Sequence, residues 1–107
     1  MASDKSFVEH IVEQIENAGI ITYRKMFGEY AIYSDGKIVV LICDNQVFIK
    51  PTESGRAFIG DAVEALPYPG AKLNFLIEDG FEDREWFSEL VRITAKELPA
   101  PKPKKKK

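Results

Sequence analysis

Apolar residues recur at helical spacing near the start of the chain. Phe7, Val8, Ile11, Val12 and Ile15 fall on one side of a helix running from residue 4 to about 18. Ser3 or Ser6 can cap it, with Ser6 and Glu9 at capping-box spacing, and Gly19 is a natural stop. The period then changes to two. Thr22 to Phe27 alternates, with Tyr23, Lys25 and Phe27 on one side and Thr22, Arg24 and Met26 on the other. Tyr30 to Tyr33 runs back. Ser34-Asp35-Gly36 is a hairpin turn, since Asp-Gly tolerates the positive φ that such turns need. Lys37 to Cys43 carries apolar residues on both parities, which suits a central strand. Asp44-Asn45 turns the chain into a strand from Gln46 to Lys50.

Pro51 ends that strand. Thr52 to Ala65 reads as a short helix with Thr52 as N-cap and Ala57, Phe58 and Ala62 inward, weakened by Gly55 and Gly60. Residues 66–70 are a proline-rich loop. Lys72 to Glu78 is a final strand with Leu73, Phe75 and Ile77 inward. Asp79-Gly80 turns into a helix over 82–98, whose stripe is Trp86 or Phe87, Leu90, Val91, Thr94 and Leu98. The expected fold is α+β: a two-layer sandwich in which helices cover one face of a mainly antiparallel, four- to five-stranded sheet.

Composition adds bounds. With 107 residues, 45% hydrophobic and 30% charged, one domain with one core is expected. Cys43 is the sole cysteine, so no intrachain disulfide exists. No apolar run suits a membrane helix and no signal peptide is visible, so a cytoplasmic protein without membrane contact is expected. The net charge of −2 hides an asymmetry: residues 99–107 hold five lysines and no acid, against 17 acids elsewhere. Residues 1–98 are thus an acidic domain and 99–107 a disordered basic tail. Lys102, Lys104, Lys105, Lys106 and Lys107 could contact phosphates, making nucleic acid a candidate partner through the tail.

Candidate chemistry is sparse. One histidine, His10, and one cysteine, far apart in sequence, do not form a zinc pattern. Asp79, Glu82, Asp83 and Glu85 suit the positive end of a helix dipole and lack the spacing of a calcium loop. Cys43 at the end of an apolar strand reads as a buried thiol. No glycine-rich phosphate loop occurs. The reading is a non-enzyme with no catalytic, cofactor or metal residues.

The densest stretch is Arg24 to Lys37. Against the RNA-recognition strand pattern it matches at Lys25, Phe27 and Gly28 and fails at Met26, Glu29, Tyr30 and Ile32. Met26 and Phe27 are expected in the core and Gly28 in a chain reversal. Parity separates Arg24 from Lys25 and Tyr30 from Tyr33. These four are the candidate interaction surface. The sheet carries more large side chains than one covered face needs, so a protein partner is expected, and a homodimer is one way to bury the excess.

Arg24-Lys25-Met26-Phe27-Gly28-Glu29-Tyr30-Ala31-Ile32-Tyr33, then Asp35-Gly36-Lys37, resembles the signature of the TfoX N-terminal domain family. Asp44 before Phe48-Ile49-Lys50, and Pro67-Tyr68-Pro69-Gly70 before the last strand, extend the likeness from about Thr22 to the final helix. Glu29 and Ala31 stand where the family often has glycine. The resemblance implies a two-layer, secretion-chaperone-like fold. It also implies kinship to the TfoX/Sxy regulators of bacterial competence, coactivators with the cyclic-AMP receptor protein. In those regulators a second, helical domain follows; here the lysine tail stands in its place. The functional expectation is a regulatory or adaptor domain acting by protein contact, with nucleic-acid association through the tail as the alternative.

Overall fold

Two tight turns organise the sheet. Asp35 and Gly36 have φ of 52° and 85°, and Asp44 and Asn45 have φ of 55° and 57°. Positive φ at both central residues matches the right-handed twist of the flanking strands, so each turn closes a two-residue hairpin. The computed structural model describes residues 3–26 and 29–98. Its elements in chain order are α1 (Lys5–Gln14), β1 (Ile21–Met26), β2 (Glu29–Ser34), β3 (Lys37–Cys43), β4 (Gln46–Ile49), α2 (Glu53–Ile59), β5 (Val63–Ala65), β6 (Asn74–Ile77), a 3-10 turn (Gly80–Glu82) and α3 (Arg84–Glu97). The six strands form one antiparallel sheet in the order β1-β2-β3-β4-β6-β5. The architecture is α+β, with one strand more than the sequence indicated.

The pairing register sorts the side chains. Tyr30, Ile42, Val47 and Ile77 line up across β2, β3, β4 and β6, as do Ile32, Val40, Ile49 and Phe75. These residues share one buried cluster with Val8, Ile11 and Ile15 of α1 and Phe87, Leu90 and Val91 of α3. That is the helix-covered face. Its apolar burial supplies most of the drive to fold, at roughly 25 cal/mol per Å². The opposite face carries Ala31, Leu41 and Phe48, which are paired in register across β2, β3 and β4, together with Cys43. Here it is called the open face.

β3 contains one extra residue. Ile32 pairs with Val40 but Tyr33 pairs with Ile38, so Val39 is a bulge. Val39 and Val40 both join the core, fully buried. The shift also turns Lys37 toward the helices, where its Nζ donates to the carbonyls of Ala95 at 2.7 Å and Leu98 at 3.0 Å. A cation thereby satisfies terminal carbonyls of α3, where the helix dipole is negative.

Several expectations need correction. The N-cap of α1 is Asp4, not Ser3 or Ser6, and it makes no side-chain cap hydrogen bond. Ser3 is instead buried: its Oγ donates to Glu29 Oε1 at 2.6 Å and accepts from the Asn45 amide at 3.0 Å. Asp4 N donates to Asn45 Oδ1, so the helix start is held by the β3–β4 turn. Residues 52–65 are not one helix. Thr52 does cap α2, accepting from Gly55 N at 2.9 Å. Gly60, at φ 90°, stops the helix, and the chain continues as the short edge strand β5. Gly55 marks a close approach: a Cβ there would lie 2.8 Å from Thr52 Oγ1. Ala57 and Leu73 are exposed rather than inward, and Met26 is 40% exposed rather than core. Phe27 and Gly28, expected in the core and the reversal, lie outside the described residues. So does the basic tail, 99–107.

α2 and α3 are tied by Glu97. Its carboxylate accepts from the Ser54 amide at 2.9 Å and the Glu53 amide at 3.1 Å. These bonds hold the carboxyl below its ordinary range, outweighing the small cost of burial. At the other end Asp83 caps α3 through the Trp86 amide, and Trp86 stacks on Phe58 at 5.5 Å.

Replacing Lys37 with Met keeps the aliphatic stem and removes the donor. It should lower unfolding free energy by about 1–2 kcal/mol, read as a reduced urea midpoint with an unchanged slope. An unchanged midpoint would show that Lys37 adds nothing at the end of α3. The Glu97 contribution has a defined pH sign. A carboxyl lowered in the folded state stabilises fully above its unfolded pKa and loses that stabilisation as pH falls through the folded value. Glu97→Gln should therefore melt below the wild type at neutral pH, with the gap closing as pH falls through the lowered carboxyl value. A gap independent of pH would assign the effect to something other than the carboxylate charge.

Candidate interaction surface on the open sheet face

The four candidate residues do not form one patch. β1 and β2 pair Thr22 with Tyr33, Arg24 with Ala31, and Lys25 with Tyr30. Arg24 and Tyr33 therefore lie on the open face, and Lys25 and Tyr30 on the helix face. Tyr30 is 7% exposed and meets Tyr23 at 5.9 Å between ring centroids. It belongs to the core cluster and presents only a small part of its surface. Tyr33 is half-buried, while Arg24 and Lys25 are exposed. Neither cation forms an ion pair among the described residues.

The open face gathers a different set. Met26, Leu41, Cys43, Tyr68 and Pro69 border a mostly apolar groove of about 560 Å³, with Glu29 and Tyr30 at its side. Leu66, Tyr68 and Leu73 of the 66–73 segment are each about half exposed, as is Val63 of β5. No described helix packs on this face, since the described helices share their cluster with the other one. Sequence reasoning passed over Tyr68 and Pro69 because a Pro-Tyr-Pro-Gly run signals a loop and nothing about where the loop lies. The available signal was the apolar parity of Leu41 and Cys43, opposite to that of Val40 and Ile42.

Glu29 is engaged: besides Ser3 it accepts from the Asp44 amide at 3.1 Å. Cys43 is buried, and desolvation, with Glu29 and Asp44 nearby, pushes its thiol up to about 11. Such a thiol is protonated at neutral pH and poorly nucleophilic. His10 cannot activate it. His10 sits on α1, on the other side of the sheet, with Nε2 3.1 Å from Glu82 Oε1. Gln14 Nε2 donates to the carbonyls of Phe81 and Glu82, and Ser88 Oγ donates to the Gln14 carbonyl. These contacts fasten α1 to the 3-10 turn and α3. Among the described residues no group of three or more His, Cys, Asp or Glu side chains is placed to hold a metal ion. Nor is any described helix long and apolar enough to cross a membrane.

The comparisons with known proteins agree with the architecture. An uncharacterised 12.7 kDa protein in the trpE 5′ region of Spirochaeta aurantia is 43% identical over 107 residues, covering 100% of this chain and 93% of that protein. The model of the TfoX N-terminal domain matches residues 13–98, most of the chain. The chain belongs to the TfoX N-terminal domain family.

Proposed function

We propose that this protein is a non-enzymatic regulatory or adaptor domain that works by docking a protein segment on its open sheet face. The observation that carries this reading is the groove bordered by Met26, Leu41, Cys43, Tyr68 and Pro69, with exposed Arg24 on the same face. An apolar groove on the same sheet face as an exposed cation that has no ion pair among the described residues fits a segment presenting apolar side chains and a carboxylate. Transcriptional regulation, with competence as one setting, and a cytoplasmic location are part of the same reading. They draw on the family kinship.

Tyr68 and Arg24 are exposed, so they can be changed with little harm to the fold. A partner captured with the full chain should be purified and its affinity measured against Tyr68→Ala and Arg24→Glu. Each substitution should weaken the complex by about tenfold. Unchanged affinity for both variants would place docking elsewhere.

The five lysines in residues 99–107 favour a second reading, nucleic-acid association through the tail. The acidic body repels phosphate, so a tail that binds DNA should do so with a steep salt dependence. Deleting 99–107 should then abolish DNA binding at low salt. Equal binding with and without the tail at two salt concentrations would remove this reading.

A further inference from the structure

β1 is an edge strand of six residues with no proline, and its outer side has no hydrogen-bond partner among the described residues. The Ile20 carbonyl accepts from Asp35 N at 2.9 Å, in line with the β1–β2 register. Main-chain groups alternate along an antiparallel strand. The amides and carbonyls of Thr22, Arg24 and Met26 thus face β2, and those of Ile21, Tyr23 and Lys25 face outward. The opposite edge, β5, has only three residues, so β1 is the sheet's long open edge.

We propose that a second copy of this chain pairs with that edge, antiparallel about a two-fold axis through Tyr23, to give one continuous twelve-stranded sheet. The register follows from charge. Outward-facing residues must meet outward-facing residues. An axis at Arg24 or Lys25 would set each cation against itself. An axis at Ile21 or Thr22 would shorten the overlap. The axis at Tyr23 uses every residue from Ile21 to Lys25, setting Ile21 against the partner's Lys25 and Thr22 against the partner's Arg24.

The helix face supplies the complement. Glu9, Glu13 and Glu16 border a groove of about 380 Å³ together with Val12 and Tyr23, beside this edge. Lys25 shares a face with Tyr23, so in the paired sheet it projects to the side where these carboxylates lie. The link from Ile15 to Ile20 is short, so Glu13 and Glu16 stay near the start of β1, opposite the partner's Lys25. The same cations that forbid other registers fit this one. The inference is independent of docking on the open face, which the pairing leaves uncovered.

Sedimentation across a micromolar series should show the wild type shifting from monomer to dimer. Lys25→Pro removes an outward amide and leaves the β1–β2 ladder intact, so it should give a folded monomer at all concentrations. Lys25→Glu should weaken the dimer by about tenfold or more, and combining it with Glu13→Lys and Glu16→Lys should restore it. A wild type that stays monomeric, a dimer indifferent to Lys25→Pro, or charge reversal without rescue would each overturn the proposal. The reversal pair keeps the test valid if the proline variant misfolds.

Discussion

One extra residue in β3 sets the relation between sheet and helices. Strict alternation from Val40 would send Val39 and Lys37 to the open face and Ile38 to the core. The bulge reverses this. Both valines enter the core, and Lys37 reaches the carbonyls that close α3. A lysine is suited to this position because its apolar stem crosses the edge of the core while its ammonium meets several acceptors at once. Ile38, displaced to the open face, sits against Tyr33. The same irregularity therefore completes one face and adds apolar surface to the other.

The helical layer is held at its start and its end by polar contacts to turns. Ser3, Asp4, Glu29, Asp44 and Asn45 join the beginning of α1 to the β3–β4 hairpin. His10, Gln14 and Ser88 join its middle and end to the 3-10 turn and α3. Glu97 closes the layer against α2. With α1, α2 and α3 engaged this way, no described helix covers the open face. Its apolar residues are shielded in part by chain carrying Tyr68 and Pro69, in which Leu66, Tyr68 and Leu73 are each about half exposed in turn.

Much of this was legible in the sequence. The Asp-Gly and Asp-Asn turns fixed the three strands β2, β3 and β4, because positive φ admits few residues. The stripes Val8-Ile11-Ile15 and Phe87-Leu90-Val91-Thr94 located the core sides of α1 and α3. What escaped was non-local. β5 is three residues long and is a strand only because β6 lies beside it, so no periodicity could reveal it. Leu73 alternates correctly with Phe75 but lies just before the sheet begins at Asn74, and so is exposed. Ser3 and Ser6 looked like caps because capping is a local preference, whereas the partners of Ser3 are distant in sequence. The bulge at Val39 was hidden in a run apolar on both parities, where a shift by one residue changes no composition. For the site, parity separated Arg24 from Lys25 and Tyr30 from Tyr33, but could not say which side the helices would take.

That separation gives the two neighbouring cations different physical roles. Arg24 projects exposed from the open face, in line with Ala31 and Leu41. Lys25 lies on the helix face of β1, and its main-chain amide points away from the sheet. A docked segment on the open face meets side chains. A strand added at β1 meets backbone. The two modes draw on different atoms of adjacent residues, so occupation of one leaves the other free. In a two-fold sheet paired at β1 the open faces of both copies lie on one surface, and the two grooves bordered by Tyr68 fall symmetrically about the axis. A partner with two apolar segments could then engage both, raising its affinity through effective concentration without any contact that a single copy lacks.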